Sequence, residues 1–287
     1  MKKTALAKYI FSMLLFGMNG IVAGFIPLNS YEIVFFRTSI GSLFLLAVFL
    51  LKKGRFHLKQ HPKDALLISL SGISMGLSWM FLYEGFQQIG VSVSTLLYYT
   101  GPVLVMLLSP LLFREKLRLP TVLGFGAVVV GIVLLNGTGS DETLNPFGVL
   151  CGLLSAVGYC LMVTLNKKAR HIRGLENTVL QLAAAFSTVS IFLVLRQGLH
   201  MHVPLSAWPW IAVLGTVTTG YACFLYFSTL SLLPVQTAAV WGYLEALSAV
   251  VFAAVFLQES MLPLQWLGAV LIIGGAMAAQ IWKKKAT

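Results

Sequence analysis

Residues 111–131 read LLFREKLRLPTVLGFGAVVVG, and residues 255–275 read VFLQESMLPLQWLGAVLIIGG. Displaced by 144 positions, the two stretches place Glu115 on Glu259, Gly124 on Gly268 and Gly131 on Gly275. Each is an apolar helix end, a Glu, a short turn and a glycine-rich apolar run. The same displacement carries Tyr99 onto Tyr243 and Glu32 onto Glu176, and one residue out of that register Phe81-Leu82-Tyr83 matches Phe224-Leu225-Tyr226. Because 144 is about half of 287, the repeat accounts for the whole chain, dividing it into residues 1–140 and 141–287.

Composition sets the solvent. A chain that is 58% hydrophobic and 10% charged, with mean hydropathy +0.87, holds more apolar surface than one water-soluble domain can bury. The formal charge of +11 is no nucleic-acid signature here, because Lys and Arg lie in short blocks between apolar runs of membrane-spanning length. A helix needs about 20 mostly apolar residues to cross the hydrocarbon. Ten such runs fall at about 6–26, 31–51, 65–85, 91–112, 119–136, 146–166, 176–196, 207–229, 234–257 and 262–282. The first, behind Lys2 and Lys3, also resembles a signal peptide; its counterpart in the repeat makes retention the expectation. Cys151, Cys160 and Cys223 fall in apolar runs without metal-ligand spacing and read as small buried hydrophobes.

Loop charge gives orientation. With a cytoplasmic N-terminus, every Lys and Arg except Arg37 and Arg196 falls on the inner side, which the positive-inside rule demands of an even number of spans with both termini inside. The expected fold is therefore all-α: a multi-pass protein of the cell (plasma or inner) membrane with ten transmembrane helices. Each half holds five spans, and an odd number turns the second half upside down, giving two inverted repeats. Such repeats in secondary transporters expose a midplane site to each side in turn.

The paired segments quoted above resemble the hallmark of the drug/metabolite transporter superfamily, EamA-domain branch, and the resemblance covers essentially all ten spans. It implies export or exchange of amino acids, nucleobases, amines or related metabolites, often driven by ion gradients, through a cavity lined by the third, fourth, eighth and ninth helices. There is one departure. The family often has Glu-Pro in the fourth helix of the later half, where this chain has Glu245-Ala246; the first half has Gly101-Pro102.

Of nine acidic residues, only Glu245 sits near the centre of an expected span. A charge there costs on the order of 3 kcal/mol on insertion scales, so it should face a cavity or a partner. It binds a cationic group, a proton, or each alternately; the structural alternative is a carboxyl held neutral by hydrogen bonds to a neighbouring helix. Arg37 is the one cation inside a span. It receives a substrate carboxylate, or else pairs with Glu32 or Glu84 or snorkels to the interface. Its repeat mate is Gln181. Trp79 and Tyr83, Tyr98 and Tyr99, Tyr221 and Tyr226, and Trp241 and Tyr243 lie in the four helices that line the cavity by resemblance. Their rings suit a planar ligand or a cation, against the alternative of bundle filling or an interfacial belt. Asn19 is a lone interior amide, a binding candidate or helix–helix glue.

Gly20/Gly24, Gly72/Gly76 and Gly148/Gly152 have small-xxx-small spacing, read as packing within a monomer, with a dimer left open. No phosphate loop, HExxH or GxSxG motif is present, so ATP-driven pumping and catalysis are disfavoured. The expectation is a non-enzymatic carrier of a small molecule, with protons as coupling partners, no cofactor and no metal. An uncoupled facilitator, channel or lipid flippase is the alternative, and a membrane enzyme the remotest.

Overall fold

A computed structural model describes residues 2–105, 108, 119–136, 145–198, 201–230, 232–233, 235–258 and 262–284. Among the described residues the chain forms helices and turns, with no strand. Helix α1 covers Lys2–Gly17 and, past a break at Met18, Asn19–Gly24. Helices α2 (Ser30–Leu51), α3 (Pro62–Ile89) and α4 (Val91–Tyr98) follow, then α5 (Leu119–Asn136). The second half begins with α6 (Pro146–Lys168) and α7 (Gly174–Gln197). Helix α8 is composite, an α segment Trp208–Gly215, a π segment Thr216–Tyr221 and an α segment Ala222–Leu230. It is followed by α9 (Val235–Phe256) and α10 (Pro263–Lys284).

Among the described residues, six helices are long and apolar enough to cross a membrane: Thr4–Gly24, Ser30–Leu51, Pro62–Ile89, Pro146–Lys168, Gly174–Arg196 and Leu205–Thr229. The other four expected spans fall on α4, α5, α9 and α10. Residues 111–118 and 259–261, and with them Glu115 and Glu259, lie outside the described residues.

Local sequence explains where the helices start and stop. Asn29 caps α2 in a capping box with Glu32. Pro62 and Pro146 open α3 and α6, where a missing N–H costs nothing. Gly90, at φ +79°, turns the chain from α3 directly into α4, a conformation that costs a residue with a Cβ about 1 kcal/mol or more. The fourth expected span, 91–112, is broken by a turn at Tyr99 and Thr100. Pro102 lies just beyond and cannot supply the N–H that would bond back across that turn. Helix α9 runs unbroken through Glu245-Ala246.

The outward surface is apolar, as lipid requires: Leu43, Leu51, Ile191, Leu195, Val251, Val255 and Val270 are all exposed. Inside, α1 packs on α8 and α9 while α6 packs on α3 and α4; α2 packs on α8 while α3 packs on α7. Each member of these pairs becomes the other when the halves are exchanged. Helices α2 and α7, α4 and α9, and α5 and α10 also meet, each helix beside its own counterpart. The three glycine pairs all face other parts of the same chain. A Cβ on Gly72 would lie 2.3 Å from the Gln181 carbonyl oxygen and one on Gly76 2.9 Å from that of Ala185, so α3 and α7 touch backbone to backbone. Cys151, Cys160 and Cys223 are buried free thiols.

Candidate functional site

Helix α2 carries Arg37 into the interior, where it is 0% exposed. Its Nη1 donates to the Tyr83 hydroxyl at 2.6 Å and its Nε to Thr219 Oγ1 at 3.1 Å. The guanidinium lies 4.0 Å from the ring centre of Trp79 and 5.0 Å from that of Tyr83. Glycines create this approach: a Cβ on Gly41 would stand 3.0 Å from Thr219 Cγ2, and one on Gly215 2.5 Å from Ile40 Cβ. The π segment holding Thr219 is a geometry common at functional sites. Hydrogen bonds to a charged group contribute about 1.5–3 kcal/mol each, and a desolvated cation over an aromatic face about 2. Together they offset the roughly 3 kcal/mol of placing an arginine in the membrane. The expected pairing with Glu32 or Glu84, or snorkelling, is corrected. Glu32 closes its own helix cap, and Glu84 accepts from the Ser30 hydroxyl and from Gln88 Nε2. Among the described residues Arg37 Nη2 has no hydrogen-bond acceptor.

Across the interior, Glu245 on α9 is hydrogen-bonded to the Tyr99 hydroxyl at the broken end of α4. It lies within electrostatic range of Arg37 and of Tyr9, Tyr83, Tyr98 and Tyr159. Tyr98 meets Tyr99 and Tyr159 edge-on at 5.4 and 5.2 Å. Tyr9 stacks on Tyr226 at 5.7 Å, and Tyr226 is hydrogen-bonded to Tyr159. Tyrosines from α1, α3, α4 and α6 thus converge on one carboxylate, with Tyr226 of α8 behind Tyr9 and Tyr159. The break in α1 sits against it, since a Cβ on Gly17 would be 2.0 Å from Ser248 Oγ and 3.1 Å from the Glu245 carbonyl oxygen. Asn19 follows the break, its Oδ1 buried and without a hydrogen-bond partner among the described residues.

Seven of the residues singled out in the sequence are therefore close together: Arg37, Trp79, Tyr83, Tyr98, Tyr99, Tyr226 and Glu245, with Asn19 beside the α1 break. Tyr221 and Trp241, 42% and 40% exposed, stand out from the buried cluster. The side chain of Tyr243 lies outside the described residues. Sequence reading missed Gly17, Thr219, Tyr9 and Tyr159. For the two tyrosines the available signal was a hydroxyl-bearing ring inside an expected span.

The two ends of the bundle differ. Where α1 and α3 end and α2 and α4 begin, a cavity of about 250 Å³ is lined by Gly20, Ile33, Tyr83, Phe86, Gln87 and Leu257, among others. At the opposite end the α2–α3 and α6–α7 loops are clasped together. His57 donates its backbone N–H to Glu176 Oε1 at 2.6 Å, and its Nδ1 lies 3.0 Å from Oε2. Asp64 Oδ2 accepts the backbone N–H groups of Arg170 and His171 at 2.8 and 2.5 Å and lies 3.0 Å from His171 Nδ1. The His61 ring stacks on that of His171 at 4.5 Å. Beneath the clasp, Asn166 bonds to Asn177 at 3.0 Å and to Gln181, the repeat mate of Arg37.

A buried carboxylate, a buried cation and a cavity in a helical membrane bundle suit a carrier. The EamA-like transporter family model matches the chain twice, over residues 4–137 and 146–279. The chain belongs to the EamA-like transporter family. The resemblance carried by the two glycine-rich segments thus holds, and the chain is a multi-pass membrane protein of transporter type. It is 27% identical over 278 residues to the uncharacterized transporter YxxF of Bacillus subtilis, covering 96% of this chain and 88% of that one. It is 28% identical to YetK of the same organism (87% and 78% covered), and 25% identical to Protein PecM of Dickeya dadantii (75% and 73%). A solved crystal structure shares the fold of this family member at TM-score 0.69, with 18% identity, over 97% of this chain and 99% of that one.

Proposed function

We propose that the protein is a secondary transporter that exports or exchanges small metabolites, such as amino acids, amines or related aromatic and cationic compounds. It works by alternating access between two inverted five-helix halves, residues 1–140 and 141–287, with both termini cytoplasmic. The observation that carries the reading is the Glu245–Tyr99 pair within electrostatic range of Arg37 in a tyrosine-lined interior. Lipid cannot solvate such groups, so their place is a compartment that receives polar cargo. Glu245 holds the cationic group of the substrate or a proton, each excluding the other, and that exclusion couples the two fluxes. Support for alternation comes from the packing pairs that exchange with the halves, and from a bundle with a cavity at one end and a clasp at the other. The clasped loops and the adjoining helix ends carry Lys52, Lys53, Arg55, Lys59 and Lys63 with Lys167, Lys168, Arg170 and Arg173, which supports a cytoplasmic location for that end under the positive-inside rule.

An uncoupled facilitator or lipid flippase is the second reading, favoured by the exposed Tyr221 and Trp241. Counterflow in vesicles containing the purified protein separates them. A carrier exchanges labelled for unlabelled substrate, and its rate follows an imposed pH gradient; Glu245→Gln keeps the protein inserted and removes the gradient dependence. PH-coupled counterflow in Glu245→Gln equal to that of the native chain would end the role given to this carboxylate.

A further inference from the structure

We infer that Arg37 and Tyr83 form a carboxylate-recognising gate at the floor of the cavity, where the anionic group of a substrate takes the place of the Tyr83 hydroxyl on the guanidinium. The inference deepens the transporter reading and rests on it for the origin of the ligand.

Tyr83 belongs to both compartments. It lines the cavity between α1, α2, α3 and α4, and its hydroxyl accepts from Arg37 Nη1 at 2.6 Å. Arg37 itself is wholly buried and is not part of the cavity wall. A solute entering that cavity therefore meets the tyrosine ring before the cation.

The guanidinium is held in a way that leaves one edge to a ligand. Its plane is fixed by the Trp79 ring at 4.0 Å, and its Nε by Thr219 Oγ1 at 3.1 Å. The remaining edge carries Nη1, bonded to the neutral phenol, and Nη2, without an acceptor among the described residues. Two parallel N–H donors on that edge match the two oxygens of a carboxylate, the pairing for which a guanidinium is suited and an ammonium is not. A phenol oxygen satisfies one of them and carries no charge. A carboxylate satisfies both, so exchange of one for the other strengthens the contact while freeing Tyr83 to swing.

Among the described residues, internal acids do not fill the role. Glu84, next in sequence to Tyr83, is engaged by Ser30 and Gln88, and Glu32 is engaged in its cap with Asn29. Glu245 is hydrogen-bonded to Tyr99. Arg37 and Glu245 then divide a substrate between them, the carboxylate to one and the cationic group to the other, which selects molecules bearing both.

The test measures binding and transport separately. The purified full-length protein is titrated by thermal shift with the twenty common amino acids and the amide of each, and the same pairs are run in counterflow. The native protein binds at least one free acid about tenfold or more tighter than its amide, the scale of a hydrogen-bonded charge. Arg37→Gln removes the preference. Tyr83→Phe, which deletes only the competing hydroxyl, tightens binding of that acid about threefold or more and widens its margin over the amide; a merely structural hydroxyl would lower stability and not raise affinity. The inference is overturned if no acid is preferred to its amide, or if Tyr83→Phe weakens acid binding. Glu245-dependent counterflow of amides or amines without acid preference would sink this inference and leave the transporter reading standing. Acid-selective binding without counterflow of any pair would do the reverse.

Discussion

A carboxylate carried into the middle of a membrane helix loses the hydration that stabilises its charge, and Glu245 recovers part of that loss from one neutral donor, the Tyr99 hydroxyl. Tyr98, adjacent in sequence and also buried, contributes ring edges to Tyr99 and Tyr159. The two tyrosines thus separate hydrogen bonding from packing at one site. Tyr99→Phe removes a donor to a charged group, worth about 1.5–3 kcal/mol, and is expected to slow counterflow by about tenfold or more. Tyr98→Phe keeps the ring contacts and is expected to stay within about twofold of native. Initial counterflow rates, normalised to reconstituted protein, decide the point, and equal losses in both variants would mean that packing alone matters here. The backbone is equally constrained at Gly17, where any Cβ presses on Ser248 and the carbonyl of Glu245 itself.

Between elements, α3 of the first half and α7 of the second approach backbone to backbone through Gly72 and Gly76. A side chain at Gly72 meets the Gln181 carbonyl at 2.3 Å and Ala184 Cβ at 2.7 Å, and backbone cannot rotate away as a side-chain tip can. Gly72→Val therefore forces the helices apart, an overpacking cost of about 1–3 kcal/mol, and should lower both melting temperature and yield of folded protein. Gly126, with nothing within 4 Å of its Cβ in α5, is the contrast. Gly126→Ala is expected to be neutral or stabilising by up to about 1 kcal/mol, as scanning fluorimetry in detergent would read. Helices of this kind were legible in the sequence because the bilayer fixes their length and demands apolar residues along it. Arg37 and Glu245 were legible because charge inside such a run has few explanations. The faces were not. Helices that are hydrophobic all round carry little periodic signal, so nothing in the spacing showed that Tyr9 and Tyr159 point inward while Tyr221 and Trp241 do not. Nor does TVTTGY distinguish a π segment from an α turn. The extra residue that brings Thr219 to Arg37 depends on Gly41 and Gly215 meeting across two helices far apart in the chain.

At the scale of the molecule, the two ends of the bundle are built from different chemistry. The cavity end is apolar apart from Tyr83 and Gln87 among its lining residues. The other end is tied by Glu176 and Asp64, first-turn acids of α7 and α3, which hold loops belonging to opposite halves of the chain. A first-turn carboxylate is already favoured by the helix dipole, so each bond to the opposite loop adds to an anchor fixed in place. If the halves rock against each other, this clasp must part once in every cycle. A permanent link across it would then hold the cavity open on one side and stop exchange without touching the interior. The paired substitution His57→Cys with Glu176→Cys places two thiols where an imidazole and a carboxylate now meet, while the three native cysteines stay buried. Bridged by a short bifunctional maleimide, this variant is expected to retain substrate-induced thermal stabilisation and to lose counterflow by more than about tenfold. Each single-cysteine variant treated the same way should keep its rate. Undiminished counterflow through the bridged protein would show that the two loops travel together, and that the moving boundary between the halves lies elsewhere.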